Sequence, residues 1–206
     1  MIVVVDYGMG NLHSVRKALE VVGAKAKVSS RPEDIRRASK IVFPGVGAFG
    51  EAMKELNRRS LVGPIKGAIE AGVPFLGLCL GLQLLFEKSE EAPGVKGLSV
   101  LRGEVKRFRV KDLKVPHMGW NNIKSTRAQE HKSTGILRGV PNGSYVYFVH
   151  SYYVKPKNPK VVLTKTNYGD DFVSGICKDN VYAFQFHPEK SQALGLRILK
   201  NFIELS

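Results

Sequence analysis

Two short runs, far apart in the chain, carry the residue types of a nucleophile and its base. The first is Gly77-Leu78-Cys79-Leu80-Gly81, which has the G-x-nucleophile-x-G form of a nucleophile elbow. Small residues on both sides permit a tight, strained turn that exposes the central side chain, and the start of a helix favours thiolate over thiol. The second run is Phe186-His187-Pro188-Glu189, near the other end of the chain. His187 can serve as general base toward Cys79, and Glu189 can orient the imidazole and stabilise its charged form. Each residue also has a plain alternative: a small buried hydrophobe, a satisfied core histidine and a surface charge. All three falling at strand ends favours covalent chemistry over coincidence.

Nucleophilic attack on an acyl carbon needs N–H donors for the developing oxyanion, and losing one commonly costs about 10²- to 10³-fold in rate. Elbow geometry makes the N–H of Leu80 one such donor. The loop Pro44-Gly45-Val46-Gly47 has glycines on both sides of Val46, so that peptide could rotate, although the letters alone support a simple turn equally well. Gln83 follows Cys79 by four residues, one helical turn along the same face, where it can contact a substrate. Its setting in LGLQLLF argues against full exposure.

The elements that must position these residues alternate in the first half. Short β-rich runs at 2–5, 26–28, 41–43 and 75–78 are separated by helical patterns at 12–22, 32–38, 49–56 and 61–71. That alternation is expected of parallel strands joined by helical crossovers, with near-continuous apolar strands covered on both faces. The site then belongs at the C-terminal ends of the strands. From residue 98 the chain is richer in strand-like runs, at 98–101, 104–110, 145–149, 161–165, 172–177 and 181–186, which should extend the sheet with antiparallel strands. A helical run at 192–203 closes it. The expected fold class is a doubly wound α/β sheet, mostly parallel, in a single domain over residues 1–206, with no internal repeat or linker.

Composition sets bounds. Of 206 residues, 43% are hydrophobic and 24% charged, as in folded soluble chains. The apolar stretch 73–86 is broken by Pro74, Gly77, Gly81 and Gln83 and makes a poor membrane span. The opening MIVVVD lacks the basic segment of a signal peptide, so a cytoplasmic location is expected. Cys79 and Cys177 are too few for a disulfide framework; a single bridge stays open and free thiols are expected. The net charge of +14 is regional, with ten Lys or Arg against Glu104, Asp112 and Glu130 between Arg102 and Arg138. A solvated basic face is favoured over nucleic-acid binding because no aromatic-interleaved or helix-turn-helix pattern accompanies the charge. Docking on an acidic partner is a third reading. His117, His131 and His150 show no metal-ligand spacing with either cysteine, so no metal is expected. Gly8 and Gly10 begin a G-x-G-x-x-G pattern, but His13 occupies the third position, and no cofactor is expected.

The GLCLG elbow, the PGVG loop and the late HPE together resemble the class I, triad-type glutamine amidotransferases over nearly the whole chain. The resemblance implies a flavodoxin-like three-layer sandwich. It also implies that Cys79 attacks the side-chain amide of glutamine, forms a glutamyl thioester and releases ammonia, with His187 and Glu189 completing the triad. An N–H from the Gly45-Val46-Gly47 segment, Val46 or Gly47, would join Leu80 in the oxyanion hole. Gln83, Gly47, Glu91, Ser151 and Tyr152 would bind glutamine, while the plain reading of Glu91, within the run 87–91, is a solvated charge.

Three further runs, Asp6-Tyr7-Gly8-Met9-Gly10-Asn11, Pro116-His117-Met118-Gly119-Trp120-Asn121 and His187-Pro188-Glu189-Lys190-Ser191, are similar to the glutaminase-subunit family of imidazole glycerol phosphate synthase. That similarity implies a heterodimer with a (β/α)₈-barrel cyclase, which would use the ammonia to make imidazole glycerol phosphate and an aminoimidazole carboxamide nucleotide in histidine biosynthesis. Pro116, Trp120, Tyr147 and Lys190 would lie near the interface. Turn, core and surface roles compete with this, most seriously a core position for Tyr147. Two other classes stay open: another enzyme on a related elbow, such as a cysteine peptidase with an extended groove, and a binding module that regulates a partner or holds RNA.

Overall fold

The computed structural model describes residues 1–111, 113–126 and 135–205; Asp112, Glu130 and His131, used in the charge and metal arguments, lie outside the described residues. The first half alternates as its patterns require: β1 (Ile2–Val5), α1 (Leu12–Val21), β2 (Ala26–Ser29), α2 (Pro32–Arg36), β3 (Lys40–Gly45), α3 (Phe49–Arg58), α4 (Val62–Glu70), β4 (Phe75–Cys79) and α5 (Leu80–Leu84). The second half contributes β5 (Lys88–Ser89), β6 (Gly103–Arg107), β7 (His117–Asn122), β8 (Lys124–Ser125), β9 (Tyr145–His150), β10 (Tyr152–Pro156), β11 (Val162–Tyr168), β12 (Asp170–Lys178), β13 (Val181–Phe184) and α6 (Gln192–Glu204).

The main sheet runs β2-β1-β3-β4-β13-β12-β10-β6-β5, with β11 and β8 branching from β12, while β7 and β9 form a separate antiparallel ribbon. From β2 to β13 every pairing is parallel. From β13 through β12 and β10 to β6 every pairing is antiparallel. The alternation of side chains along a strand divides the core in two. Val3 and Val5 of β1 join Phe43 and Phe75 beneath α2, α3 and α4, whose Ile35, Leu56 and Ile65 are buried there. Val4, Val42, Leu76 and Leu78 face the other way, onto Leu19 of α1 and Ile198, Leu199 and Phe202 of α6. Strands sealed on both faces explain the unbroken IVVV run. Each such Leu, Ile or Phe removed from water stabilises the fold by about 1.5–3 kcal/mol.

One expectation is corrected, and two strands are added. Residues 98–101 are not a strand: the N–H groups of Leu98, Ser99 and Val100 bond the carbonyls of Leu84, Phe86 and Leu85. An apolar run there satisfies carbonyls that α5 and the turn after it leave without helical partners, so burial alone mimicked a strand. The Gly- and Asn-containing run 117–122, left unassigned, is strand β7, held by β9 outside the main sheet. The run 152–156 is β10, hidden by its continuity with the YVYFVHSYY segment.

Candidate active site

Three neighbouring strands, β3, β4 and β13, end side by side and deliver the PGVG loop, the elbow and the HPE run. Gly45 is in register with Cys79, and Phe184 with Leu78. Cys79 turns the chain from β4 into α5 with φ 52° and ψ −108°, a conformation a side-chain-bearing residue rarely adopts. The flanking glycines follow from packing: a Cβ on Gly81 would collide with the carbonyl oxygen of Phe43 in β3, and one on Gly77 would lie 3.0 Å from both Ala183 and the Gly81 carbonyl oxygen. Close approach of α5 to the sheet fixes the turn, and Leu80, its first residue, has an N–H with no intrahelical acceptor.

His187 follows β13 and is pinned by its backbone, its N–H donating to the Tyr147 carbonyl at 2.9 Å. Ser191 Oγ donates to the His187 carbonyl at 2.7 Å and accepts the Tyr147 N–H at 3.0 Å. His187 Nδ1 is 2.7 Å from Glu189 Oε1, with side chains 4% and 3% exposed. Nε2 is buried without an aligned hydrogen-bond partner among the described residues. Burial works against a charged ring, but the interactions with Cys79 and Glu189 outweigh it and raise the pKa to about 10. The imidazole is thus a cation at neutral pH, held between the sulfur and the carboxylate, with Nδ1–H donating to Glu189.

A cavity of ≈ 260 Å³ opens over Cys79 and His187. Val46, Gly47, Leu80, Gln83, Glu91, Ser151 and Tyr152 all line it, as does Pro116. Its size is below the about 300–1,000 Å³ of drug-sized ligand pockets, which fits a single small metabolite better than an extended chain. Gln83 is 4% exposed, not a surface residue. Glu91 is not a freely solvated charge: its Oε2 accepts the Phe49 N–H at 2.8 Å, capping α3, whose N-cap residue Ala48 has no side chain to do so.

The four residues expected near an interface separate. Pro116 is at the cavity, whereas Trp120, Tyr147 and Lys190 lie on the outer face of the β7–β9 ribbon. Trp120 is directly opposite Tyr147, with the rings 6.2 Å apart, and Lys190 Nζ sits 5.8 Å from the Tyr147 ring. Tyr147 is half-buried on this outer face, while Val146 and Phe148 fill the core, so its competing core position is overturned by strand alternation. Met118, Trp120 and Tyr145 on the same ribbon are 62%, 47% and 58% exposed, so large apolar side chains cluster there in contact with solvent.

Several residues at the site escaped the sequence reading. Gln185 is fully buried, with Nε2 3.7 Å from Cys79 Sγ. A lone amide between Phe184 and Phe186 was the available signal. The DYGMGN run forms a local turn and helix cap. Asp6 accepts the Gly8 N–H at 2.8 Å, and Asn11 caps α1 through Ser14. Tyr7 is buried against Gly45, and the partly buried Met9 packs against Gly47. The two core histidines pair with each other: His150 Nδ1 lies 2.8 Å from the Tyr152 carbonyl, His150 Nε2 2.9 Å from His117 Nδ1, and His117 Nε2 3.2 Å from Asn121 Nδ2. The carbonyl can only accept, so each proton along the row has one place.

The sequence model of the family described as glutamine amidotransferase class-I matches residues 3–205. The chain is 56% identical over 203 residues to the imidazole glycerol phosphate synthase subunit HisH of Aquifex aeolicus, covering 97% of this chain and 94% of that protein. It is 51% identical over 205 residues to the subunit of the same name from Archaeoglobus fulgidus, covering 100% and 98%. Among solved structures, a crystal structure of a glutamine amidotransferase superposes with a TM-score of 0.76 at 20% identity, covering 99% of this chain and 98% of that one. The structure of PurLQS from Thermotoga maritima gives 0.74 at 18% identity, with 98% and 95% covered. At such identity the structural likeness bears on the fold, which is the expected three-layer α/β sandwich.

Proposed function

We infer, for a chain that belongs to the class I glutamine amidotransferases and within them to the HisH subunits of imidazole glycerol phosphate synthase, that Cys79, His187 and Glu189 are the residues that hydrolyse glutamine to glutamate and ammonia. The observation that carries the assignment is the buried His187–Glu189 pair, 2.7 Å apart, at the cavity that also holds Cys79 on its strained elbow. Cys79 sulfur attacks the side-chain amide carbon of glutamine. Negative charge collects on the amide oxygen and is met by the N–H of Leu80 and one from the Val46–Gly47 segment. His187 gives its Nε2 proton to the departing ammonia as the C–N bond breaks, leaving a glutamyl thioester. The neutral imidazole then takes a proton from water, whose oxygen attacks the thioester and expels the sulfur. Glu189 holds the ring through Nδ1.

Gln83, Gly47, Glu91, Ser151 and Tyr152 hold the substrate in this reading, all of them lining the cavity. With one carboxylate oxygen committed to Phe49, Glu91 has the other to offer a substrate ammonium. The continuous main sheet supports treating residues 1–206 as one amidotransferase domain. The relatives are named as a synthase subunit. The partner proposed is a (β/α)₈-barrel cyclase, which consumes the ammonia in making imidazole glycerol phosphate and the aminoimidazole carboxamide nucleotide. The exposed Met118, Trp120 and Tyr145 face supplies the apolar surface for it. No helix among the described residues is long and apolar enough to cross a membrane, and the location proposed is the cytoplasm.

Glutamate release from glutamine, measured for the chain alone and then with a barrel cyclase and its nucleotide ligand, tests the reading. Strong stimulation by the pair is expected. A folded chain that releases no glutamate under either condition would refute it.

A further inference from the structure

Tyr152 offers Gln83 a backbone carbonyl, which can only accept. That fixes which end of the Gln83 amide points where: Nε2 donates to the Tyr152 carbonyl at 3.1 Å and, with its second hydrogen, to Gln185 Oε1 at 3.1 Å. Gln185 has its oxygen engaged on that side, so its own nitrogen is turned toward Cys79 Sγ, 3.7 Å away. Besides facing His187, the sulfur lies 3.9 Å from the Val149 carbonyl. The Gln185 and Val149 contacts suit different protonation states. A carbonyl serves a thiol that donates, whereas an amide N–H serves a sulfur that accepts, and hydrogen bonds to an ionised acceptor are about twice as strong as those to a neutral one.

We propose that Gln185 is a further catalytic residue, donating from Nε2 to the Cys79 sulfur and holding the thiolate for attack, in an orientation dictated by Gln83 and ultimately by the Tyr152 carbonyl. The row also assigns Gln83 its part. Both of its amide hydrogens are committed within the protein, so the atom it presents to a ligand is Oε1, an acceptor suited to the ammonium or amide N–H of the substrate. The inference rests on Cys79 being the nucleophile.

The test is the rate of iodoacetamide alkylation of Cys79 in the whole chain from pH 6 to 9.5, followed by mass spectrometry of the Cys79 peptide so that Cys177 does not interfere. Gln185→Leu should slow alkylation at pH 7 about tenfold and move the pH–rate profile up by about one unit. Gln185→Glu, which keeps the volume but sets an acceptor against the sulfur, should move it further. Gln83→Leu, which leaves the Gln185 amide free to turn, should move it less, in the same direction. A merely structural Gln185 would change the melting temperature and leave the profile in place. A parental profile in whichever Gln185 variant folds overturns the proposal, and Gln83→Leu decides it if neither does. Failure of the underlying reading looks different: the parent chain, once alkylated at Cys79, would still release glutamate.

Discussion

Gly45, the last residue of β3, lies directly across from Cys79, the last residue of β4, in parallel register. The loop that would bind the oxyanion and the turn that carries Cys79, the proposed nucleophile, therefore leave the sheet at the same height. β13 brings His187 up on the other side of β4. β3, β4 and β13 are adjacent and parallel, so the three loops leave the same edge of the sheet, where the sites of such folds lie. Slipping β4 by one residue would send Cys79 to the opposite face.

Gly81→Ala tests how tightly this arrangement is packed. The added carbon meets a backbone oxygen of β3, which cannot swing aside as a side chain could. Overpacking of this kind costs about 1–3 kcal/mol. We expect a lower urea midpoint with unchanged slope. A variant as stable as the parent would mean that α5 does not rest on β3 as described.

Cys79→Ala should abolish glutamate release and leave partner binding intact, because Cys79 is 7% exposed at the cavity while the proposed docking face is the outer side of the β7–β9 ribbon. Calorimetric titration with the cyclase checks this. Equal loss of binding would place the nucleophile in the interface.

What the sequence made legible follows from where the information is local. The proposed triad was legible because an elbow needs Gly77 and Gly81 beside Cys79, and because β13 runs apolar straight into His187. The parallel half was legible because strands covered on both faces are written as unbroken apolar runs. Residues 98–101 were misread because apolar burial, not pairing, was the visible signal, and their N–H partners are carbonyls of α5 and the turn after it. Ribbon β7 was missed because its partner β9 is distant in sequence, and Met118 and Trp120 point away from the core. Gln185 was missed because its contacts with Gln83 and Cys79 are made only in the fold.

Trp120→Ala should weaken cyclase binding by about thirtyfold or more, the scale of a buried aromatic anchor at an interface. It should leave the stability of the isolated chain within about 0.5 kcal/mol, as for surface substitutions, because the indole is 47% exposed in this structure. Titration calorimetry and a melting curve separate the two effects. Unchanged affinity would move the interface off the ribbon.

Glu189→Gln keeps the shape beside His187 and removes the charge. By analogy with replacing the orienting acid in other triads, kcat should fall by about 10²- to 10⁴-fold. The His187 titration, followed by NMR of the ring protons, should move down from about 10, since Glu189 is one of the two groups that raise it. A loss of rate with no movement of the titration would make Glu189 a steric support only.

Stability should peak near pH 6.5, because the buried histidines titrate with opposite signs. Burial depresses His117 to about 4 and His150 to about 3. Below the ordinary histidine value of about 6.5 the unfolded chain takes up protons that these two rings refuse. Their contribution is thus complete above about pH 6.5 and lost as the pH falls, by up to about 1.4 kcal/mol per unit for each ring. His187, raised to about 10, behaves inversely. Its contribution is whole below about pH 6.5 and is lost as the pH rises through about 10. Urea midpoints from pH 5 to 10 should therefore fall on both sides of a maximum. His117→Gln should shallow the acid limb, between about pH 6.5 and 5 and above the range where carboxylates titrate, and His187→Gln should shallow the alkaline one. An acid limb equally steep in His117→Gln would mean that the His117 ring takes up its proton while folded, which the single-file donors from Asn121 to Tyr152 forbid.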